Sequence, residues 1–455
     1  MMQKERHKIL AESVKRLLRR GATKSLQNII KKTHAADLSL VFRDLSSDNR
    51  IQMLNLMKDP EQKGVLFSEL EETVFLEIME HMAVEEVVDV FENMAADDAA
   101  ELLGYLDEDT ADIILEKMNK EDSQEVEHLM SYGEDTAGSI MVPDFIALKE
   151  DMGARDVIEA LQNEFLDVEM PFYVYVIDTY GKLVGVSSLR QLVVVHPEKP
   201  LKEFMTRDIV SVKTYTDREE VAQLVARYDY LAVPVVDDDN CLVGIVTVDD
   251  VIDIISEEAT GDILKMAGVG EDYIETQTVL RGTRIRLPWL FTSFLGGLAA
   301  FFIIGNFEAS LQQYAYLAAF IPVIMGMGGN IGTQSSTIVV RGIATGKIDT
   351  GDLFSVVGKE LAIGVILGIV YGLFIGIVAK VRFNHEPLSL QLAFSVGLAV
   401  ISSMSVAALV GSLVPMLFEK ANIDPAVATG PFVTTSVDIV SVYCYFMIAT
   451  ILLGI

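Results

Sequence analysis

Five long apolar segments fill the C-terminal part of the chain and constrain its fold more than any other feature. We expect transmembrane helices near 287–306, 314–341, 358–380, 390–418 and 426–453. Each segment has roughly the 20 residues that a helix needs to cross a hydrocarbon core of about 30 Å. Residues 285–455 are therefore predicted to form a transmembrane domain of five helices.

The charge is distributed unevenly along the chain. Residues 281–455 contain nine Lys/Arg and eight Asp/Glu, so the net charge of -30 for the whole chain leaves -31 for residues 1–280. Within that part, residues 1–35 carry +8 and residues 36–280 carry -39. This division excludes a single soluble globule, and the acidity argues against nucleic acid as a partner.

The loops between the apolar segments indicate an orientation. The first ten residues contain no apolar signal segment, so we expect the N-terminus to be cytoplasmic. Five spans then place the C-terminus outside. Seven Lys/Arg fall in the loops predicted to be inside, whereas only Lys380 and Arg382 fall outside, as the positive-inside rule requires. We expect a multi-pass protein of the plasma or inner cell membrane.

The second apolar segment contains a run of glycines, amides and hydroxyls at 322–336. Because lipid cannot satisfy exposed polar groups, this run must face protein or water. One explanation is close helix packing through small residues. The other is a wet ion path, for which Gly328, Gly329 and Asn330 are the candidate lining residues.

The fifth apolar segment contains a carboxylate. By this assignment, Asp438 is the one acidic residue well inside a predicted span. A carboxylate in a bilayer is costly unless it meets water, a cation or a donor, so a functional role is the default interpretation. With Thr434 and Thr435 it could bind a cation in a hydrated, pore-lining pocket. The alternative is a polar contact between helices, for example with Asn330.

A sequence pattern recurs at an offset of 64 residues in the acidic part. Residues 141–148 match 205–212, and each copy predicts a short strand, an amphipathic helix, two strands joined by an Asp/Gly turn and a second helix. The two copies resemble tandem CBS domains with an α/β fold, which we place at 138–203 and 204–256.

The CBS resemblance implies a cleft that an adenine nucleotide such as ATP could occupy. The second copy has the family's pattern as Gly244, Thr247 and Asp250, whose hydroxyl and carboxylate suit phosphate and ribose. The first copy has Gln191 where the aspartate would be. A CBS pair with a purely structural role is the alternative.

Residues 36–137 predict a domain of short amphipathic helices. Residues 37–45 recur at 86–94 with apolar positions at helical spacing, which is typical of a superhelical helix repeat. The basic segment 1–35 predicts an amphipathic helix that could lie on anionic lipid or dock against the acidic domain. Its apolar face contains Ile9, Leu10, Val14, Leu17 and Leu18.

The order of these parts resembles that of MgtE-type magnesium channels over nearly the whole chain. An acidic helical domain and a CBS pair precede a long connecting (plug) helix, here 257–284, and five spans. The polar run of the second span and segment 431–438 resemble that family's signatures, although this chain carries Ser441 where a glycine is common. The resemblance implies a multidomain membrane protein with an all-α superhelical N-domain. It also implies a homodimer with a pore on its two-fold axis, where two Asp438 carboxylates face one Mg²⁺.

The same resemblance implies a cytosolic Mg²⁺ sensor that closes the pore. Matching the family's acidic clusters gives nine candidate ligands in the N-domain, the second CBS copy and the connecting helix. They are Asp97, Glu101, Asp217, Glu219, Asp229, Asp250, Asp253, Glu258 and Asp262. Mg²⁺ would be both cargo and regulator, and it would enter the cell down its electrochemical gradient.

Two other classes of protein stay open. One is another CBS-containing divalent cation transporter or exporter. The other is a membrane-anchored nucleotide sensor without transport, which would leave the polar second span unexplained. We expect no enzyme and no catalytic residues, because the sequence contains no evident nucleophile–base pair or phosphate-binding loop.

Overall fold

The computed structural model describes residues 2–163, 165, 168, 170–269 and 279–454. The chain forms two compact units, Met1–Ile255 and Ser256–Ile455, each described by itself below. The first contains a helical domain and two small sheets. The second contains the membrane helices. The fold class expected from the sequence is confirmed.

The first unit begins with short helices. They are α1 (Met2–Arg19), α2 (Thr23–Lys32), α3 (Ala35–Asp44), α4 (Ser47–Leu54), α5 (Pro60–Ser68), α6 (Glu72–Met79), α7 (Val84–Phe91), α8 (Ala96–Gly104), α9 (Glu108–Lys117) and α10 (Lys120–Met130). Capping side chains start some of them: Asp107 accepts from the N–H of Thr110, and Asn119 accepts from that of Glu121. Helices this short are not stable alone, so tertiary packing must hold them.

Alternate helices stack along this domain. α3 packs on α5, α5 on α7 and α7 on α9. Phe42 and Phe91, which are 49 residues apart, are both fully buried, as are Phe67 and Phe75, whose rings meet edge to face at 5.8 Å. The recurrence in the sequence therefore corresponds to equivalent core positions in a superhelical stack of helices.

The basic N-terminal helix α1 docks on this helical domain. Val14 and Leu18 are buried in the same core as α3 and α5. Ile9, which was expected on the apolar face, is instead 64% exposed. Because Leu10 and Leu17 are partly buried against the same core, the structure favours docking over a helix that lies on lipid through this face.

Two three-stranded sheets follow. Their strands are β1 (Ala147–Lys149), β2 (Tyr173–Ile177), β3 (Leu183–Ser188), β4 (Val212–Lys213), β5 (Ala232–Val236) and β6 (Leu242–Thr247). The helices around them are α11 (Ala154–Asn163), α12 (Leu189–Val194), α13 (Arg218–Tyr228) and α14 (Val248–Met266). In each sheet the first two strands are parallel and the last two antiparallel, with an irregularity at Val176/Ile177 and Val235/Val236.

The two CBS copies exchange their first segments. Val142 exchanges backbone hydrogen bonds with Ile245 of the second copy, and Thr206 exchanges them with Val186 of the first. A Cβ at Gly244 would lie 2.6 Å from Sδ of Met141, so this glycine makes room for the crossing segment. The exchange makes the two copies one structural unit.

The connecting helix, expected to begin at 257, begins earlier in the chain. α14 starts at Val248, inside the second CBS copy, and ends at Met266, and Gly268 follows with a φ of 72°. Residues 270–278 lie outside the described residues, and the first membrane helix starts at Val279. Glycine is favoured at this C-terminal position because its φ is positive.

Among the described residues of the second unit, five helices are long and apolar enough to span a membrane. The helices of this unit are α15 (Val279–Asn306), α16 (Glu308–Gln313), α17 (Ile321–Ala344), α18 (Leu353–Arg382), α19 (Ser389–Lys420) and α20 (Thr434–Leu453). α16 is a short helix, and a 3-10 turn at Ala315–Phe320 leads into α17.

A stripe of glycines packs α18 against α19. A Cβ at Gly364 would lie 2.6 Å from Cβ of Ala408, and a Cβ at Gly372 would lie 2.6 Å from the carbonyl oxygen of Gly397. Small residues at this spacing let the two backbones approach closely, which is a main source of attraction between helices in lipid.

The fifth span begins irregularly. A 3-10 turn at Pro425–Ala428 and a wide turn at Thr429–Val433 precede α20, and Gly430 has a non-helical ψ of -116°. The directions of the side chains after this break therefore depend on tertiary contacts as well as on helix geometry.

Candidate ion pathway and cation sensor

Asp438 lies beside the glycine run of the second span. It is on the first turns of α20 and is half-buried. A Cβ at Gly329 of α17 would lie 4.0 Å from Oδ1 of Asp438, so the carboxylate faces this stretch of backbone. The structure thus brings Asp438 and Gly329 together. Among the described residues, no hydrogen bond joins Asp438 to Asn330.

α17 has two chemically different faces. One is buried and packs through glycines: at Gly328 a Cβ would clash with Oγ of Ser403. The other is exposed and polar over two turns, with Asn330, Thr333 and Gln334 among its residues. Helix packing therefore accounts for Gly328, whereas the exposed amides still require water or a protein partner at membrane depth.

The two threonines before Asp438 have different surroundings. Thr434 donates its hydroxyl to the carbonyl of Gly430 at 3.1 Å, which stabilises the irregular turn. The methyl of Thr435 packs against Gly296 of α15. In this structure both threonines make contacts that shape the start of α20.

A buried pair of hydroxyls joins three membrane helices. Oγ of Ser403 on α19 lies 2.7 Å from Oγ of Ser441 on α20, and it donates to the carbonyl of Ile324 on α17 at 3.1 Å. Ser441 therefore has a polar partner inside the bundle. Satisfied polar groups of this kind bind helices together in lipid.

Glu360 is a second carboxylate inside a membrane helix, and the sequence-based assignment missed it. It lies on α18, is 5% exposed, and accepts a hydrogen bond from Oγ of Ser335 at 2.8 Å. Because Lys359 precedes it, the sequence placed the pair at the edge of a span. Its spacing of four residues from Gly364 was the available signal, since that places it on the buried glycine face.

The first pair of candidate sensor acids is on α8. Asp97 and Glu101 are one turn apart, and Glu101 is exposed and accepts from the hydroxyl of Tyr105 at 2.6 Å. Asp97 lines a cavity of about 550 Å³. The other acidic residues that line this cavity are Glu92, Asp122, Glu125 and Asp144.

The cavity is electrostatically strained. Burial, followed by the neighbouring carboxylates of Asp122, Asp144 and Glu121, raises the pKa of Glu125. Carboxylates that repel one another in a partly buried site gain most from a cation or a proton. The sequence did not indicate these acids, because α10 and the start of the first CBS copy meet α8 only in the tertiary structure.

The three candidates on α13 are not together. Asp217 caps the N-terminus of this helix and accepts from the N–H of Glu219 at 2.8 Å. Asp229 caps its C-terminus with a φ of 55°. The 11 residues of the helix lie between the two caps, which are therefore separated by a rise of about 18 Å. One metal ion therefore cannot bind all three.

The two residues expected to recognise a nucleotide are adjacent. The hydroxyl of Thr247 donates to Oδ2 of Asp250 at 2.6 Å, at the start of α14. In the first copy, Oε1 of Gln191 accepts instead from the N–H of Ser188 as part of a capping box. Gln191 thus stabilises a helix start in the place where the second copy presents a carboxylate.

The remaining candidates lie along α14. Asp253 is one turn beyond Asp250, and further on Glu258 is one turn before Asp262. Burial, then the carboxylate of Asp424, raises the pKa of Asp262 to about 6 against the opposing effect of Lys265. Asp424 precedes the irregular turn into α20, and sequence reasoning missed it.

No group of three or more His, Cys, Asp or Glu side chains is arranged as a ready metal cluster in the part of the chain that the structure describes. Mg²⁺ demands near-octahedral oxygen ligands but commonly keeps several waters. Pairs of carboxylates such as Asp262 and Asp424 are therefore the unit that such an ion would bridge.

Comparisons with known proteins find relatives over nearly the whole chain. A family model described as "Divalent cation transporter", MgtE, matches residues 321–448, the MgtE intracellular N domain matches 33–135, and CBS domains match 137–198 and 201–257. The chain is 35% identical to the magnesium transporter MgtE of Thermus thermophilus over 462 residues, 98% of each protein. It is 33% identical to that of Bacillus subtilis over 436 residues, 95% of each.

A solved structure matches about half of the chain. It is the crystal structure of the cytosolic domain of the Mg²⁺ channel MgtE in complex with ATP, with a TM-score of 0.51 and 34% identity. The match covers 54% of this chain and 99% of that one. Together with the relatives matched over nearly their whole length, this confirms the resemblance seen in the sequence, and the chain belongs to the MgtE family of divalent cation transporters.

Proposed function

We propose that this protein is a channel or transporter that passes Mg²⁺ into the cell down its electrochemical gradient. The observation that carries the proposal is the half-buried carboxylate of Asp438 beside the backbone of Gly329, inside a membrane helix bundle. The full-length relatives named magnesium transporters support Mg²⁺ as the cargo.

The exposed polar face of α17 supports a homodimer. Lipid cannot satisfy the amides of Asn330 and Gln334 at membrane depth, and a second copy together with water would cover them. A two-fold axis along this face would place one Asp438 from each protomer around a shared, partly hydrated ion. Such a sparse oxygen site suits Mg²⁺, which gives up its waters reluctantly.

The distribution of basic residues supports the proposed orientation. With the N-terminus cytoplasmic and the C-terminus outside, the loops rich in Lys and Arg are on the inside. A membrane potential that is negative inside then drives the ion inward without ATP hydrolysis. A divalent ion gains about 4.6 kcal/mol per 100 mV, twice the roughly 2.3 kcal/mol of a single charge.

Closure by cytosolic Mg²⁺ is the proposed use of the acidic domains. Residues 36–280 carry -39, so they repel one another unless cations screen them. Mg²⁺ would bind carboxylates such as Asp97 in its cavity and Asp262 beside Asp424, and hold the connecting helix in place. When Mg²⁺ falls, repulsion would release the helix and open the pore.

The end of the connecting helix contacts the start of the fifth span, which supplies a route for this signal. A Cβ at Gly268 would lie 2.9 Å from Cγ of Pro431, and one at Gly430 would lie 2.8 Å from the carbonyl oxygen of Met266. Asp438 follows two turns later on α20. A displacement of the end of α14 would therefore shift the start of the fifth span and, with it, the position of Asp438.

ATP is a proposed regulatory ligand of the CBS pair. The hydrogen-bonded Thr247 and Asp250 support it, as does the relative whose cytosolic domain was crystallised in complex with ATP. The nucleotide would bind on the same helix, α14, that carries the sensor acids, so its binding could change the Mg²⁺ concentration needed for closure.

The proposal is tested by uptake of Mg²⁺ into proteoliposomes that contain the purified full chain. An imposed potential, negative on the side toward which the cation moves, should accelerate uptake, and Mg²⁺ on the cytoplasmic side should suppress it. Uptake no faster than in protein-free liposomes would refute transport, and uptake unaffected by cytoplasmic Mg²⁺ would refute the sensor.

A further inference from the structure

Glu360 is a buried carboxylate that the proposed ion pathway does not use. It is 5% exposed, and Oγ of Ser335 donates to its Oε2 at 2.8 Å. Among the ion pairs of the described residues, none involves Glu360. A carboxylate buried in a membrane domain without a paired cation is costly, and a well-packed apolar residue in its place is often neutral or stabilising. Its presence therefore calls for a role other than stability.

Ser335 lies on the back of the helix that presents the polar face. With about 100° of rotation per residue, it is roughly 140° around α17 from Asn330 and roughly 160° from Thr333. It is also about 9 Å along the helix from Gly329, the neighbour of Asp438. A bond at Ser335 thus fixes the rotation of α17 without touching the pathway.

Glu360 stands on a rigid support. It precedes Gly364 by one turn on α18, whose glycines pack against the backbone of α19; a Cβ at Gly368, for example, would lie 2.9 Å from Cα of Ile401. α17 in turn meets α19 where Gly332 and Gly411 are in close contact. α18 and α19 therefore form a fixed base, and the hydrogen bond to Ser335 ties α17 to it.

We propose that Glu360 is a positioning residue for ion transport: it accepts the hydrogen bond of Ser335 and so holds the polar face of α17 in register with Asp438. The residue touches no ion and acts through Ser335. Its ability to accept a hydrogen bond matters, and its negative charge does not. The inference rests on the proposed function for its effect on flux, but not for its effect on the position of α17.

The neighbouring Ser336 provides a matched control. It is also fully buried on α17, and its Oγ has no hydrogen-bond partner among the described residues. Replacing Ser335 or Ser336 by alanine removes the same atom from adjacent buried positions of one helix. Only the first substitution breaks the bond to Glu360.

The experiment compares Ser335→Ala, Ser336→Ala, Glu360→Gln and Glu360→Ala in full-length protein in proteoliposomes. One readout is the maximal rate of Mg²⁺ flux. The other is the rate at which a methanethiosulfonate reagent modifies Asn330→Cys in a background with Cys241→Ser and Cys444→Ala. The second readout reports the position of α17 and needs no transport.

We expect Ser335→Ala and Glu360→Ala to lower the maximal flux about tenfold, as small misplacements of a functional group do, and to change the modification rate severalfold. Ser336→Ala should leave both readouts unchanged, and Glu360→Gln, whose amide oxygen still accepts, should stay within about twofold. Glu360→Gln behaving like Glu360→Ala would overturn the proposal, because the charge would then matter. Equal effects of Ser335→Ala and Ser336→Ala would also overturn it.

Failure of this proposal and failure of the proposed function give different results. If the wild type carries no Mg²⁺, the modification rate of Asn330→Cys alone tests the proposal. A rate that Ser335→Ala leaves unchanged would then overturn the positioning role of Glu360. Thermal unfolding in detergent identifies any variant that has lost its fold. Ser335→Ala removes a single oxygen atom and should therefore leave the protein folded. It breaks the same hydrogen bond, so the proposal can be tested even if Glu360→Ala does not fold.

Discussion

Lys265 and Asp424 form an ion pair in which Nζ and Oδ2 are 2.8 Å apart. The pair joins the last turn of the connecting helix α14 to the turn that leads into the fifth span. The ammonium group of Lys265 therefore lies near the carboxylates of Asp262 and Asp424, where we propose that regulatory Mg²⁺ binds.

Removing this fixed cation should loosen the end of the connecting helix. A partly exposed ion pair contributes up to about 1 kcal/mol, so Lys265→Met should raise Mg²⁺ flux at very low cytoplasmic Mg²⁺ about two- to fivefold. Lys265→Arg keeps the charge and should resemble the wild type. Lys420→Met, at an exposed position that ends α19, is the control. Equal flux through Lys265→Met and Lys420→Met would show that the ion pair between Lys265 and Asp424 does not hold the connecting helix.

The pKa of Asp262 predicts that acid weakens closure. Burial and Asp424 raise this pKa to about 6, so the carboxyl takes up a proton as the pH falls through that value. Mg²⁺ binds the deprotonated form. Competition by one proton should raise the Mg²⁺ concentration for half-closure about fourfold between about pH 7.5 and about pH 5.5. The dependence should run in this direction because a raised pKa leaves the group ionised only above it.

The matched variant for this prediction is Asp262→Asn. It cannot titrate, so its half-closing Mg²⁺ concentration should be higher at neutral pH and should change less over the same range. The measurement is flux against cytoplasmic Mg²⁺ at several pH values. A wild type and an Asp262→Asn variant with parallel pH dependence would show that another group is responsible.

Close packing between α18 and α19 predicts a sharp difference between two glycines of one helix. At Gly372 a Cβ would lie 2.6 Å from the carbonyl oxygen of Gly397, so Gly372→Ala should lower the free energy of unfolding by about 1–3 kcal/mol. At Gly358 no atom lies within 4 Å of the added Cβ, so Gly358→Ala should be neutral or slightly stabilising. Thermal unfolding in detergent measures both. A Gly372→Ala variant as stable as Gly358→Ala would mean that the helices are not in this contact.

The architecture was predictable because its signals are local and periodic. Apolar length gives the five spans, the offset of 64 residues gives the CBS pair, and helical spacing gives the stacked domain that contains Phe42 and Phe91. Each is encoded within a short stretch of sequence.

The parts of the site that sequence reasoning missed depend on tertiary contacts. Asp424 and Lys265 are distant in sequence, and the acids around Asp97 come from separate helices and a CBS segment. Glu360 was missed because the charges of Lys359 and Glu360 were taken to mark the edge of a span. Glu360 is buried because it lies on the same face of α18 as the glycines that pack against α19. The connecting helix began earlier than expected because the second CBS copy ends in the same helix.

Asp438 is the residue on which the account depends most. The decisive measurement is Mg²⁺ influx into proteoliposomes for the wild type, Asp438→Asn and the control Asp352→Asn, which changes an exposed carboxylate before α18. Asp438→Asn should lower the flux at least about tenfold, the factor that corresponds to about 1.4 kcal/mol of lost interaction, while Asp352→Asn should keep the flux of the wild type. Equal flux through the wild type and a folded Asp438→Asn variant would contradict the account.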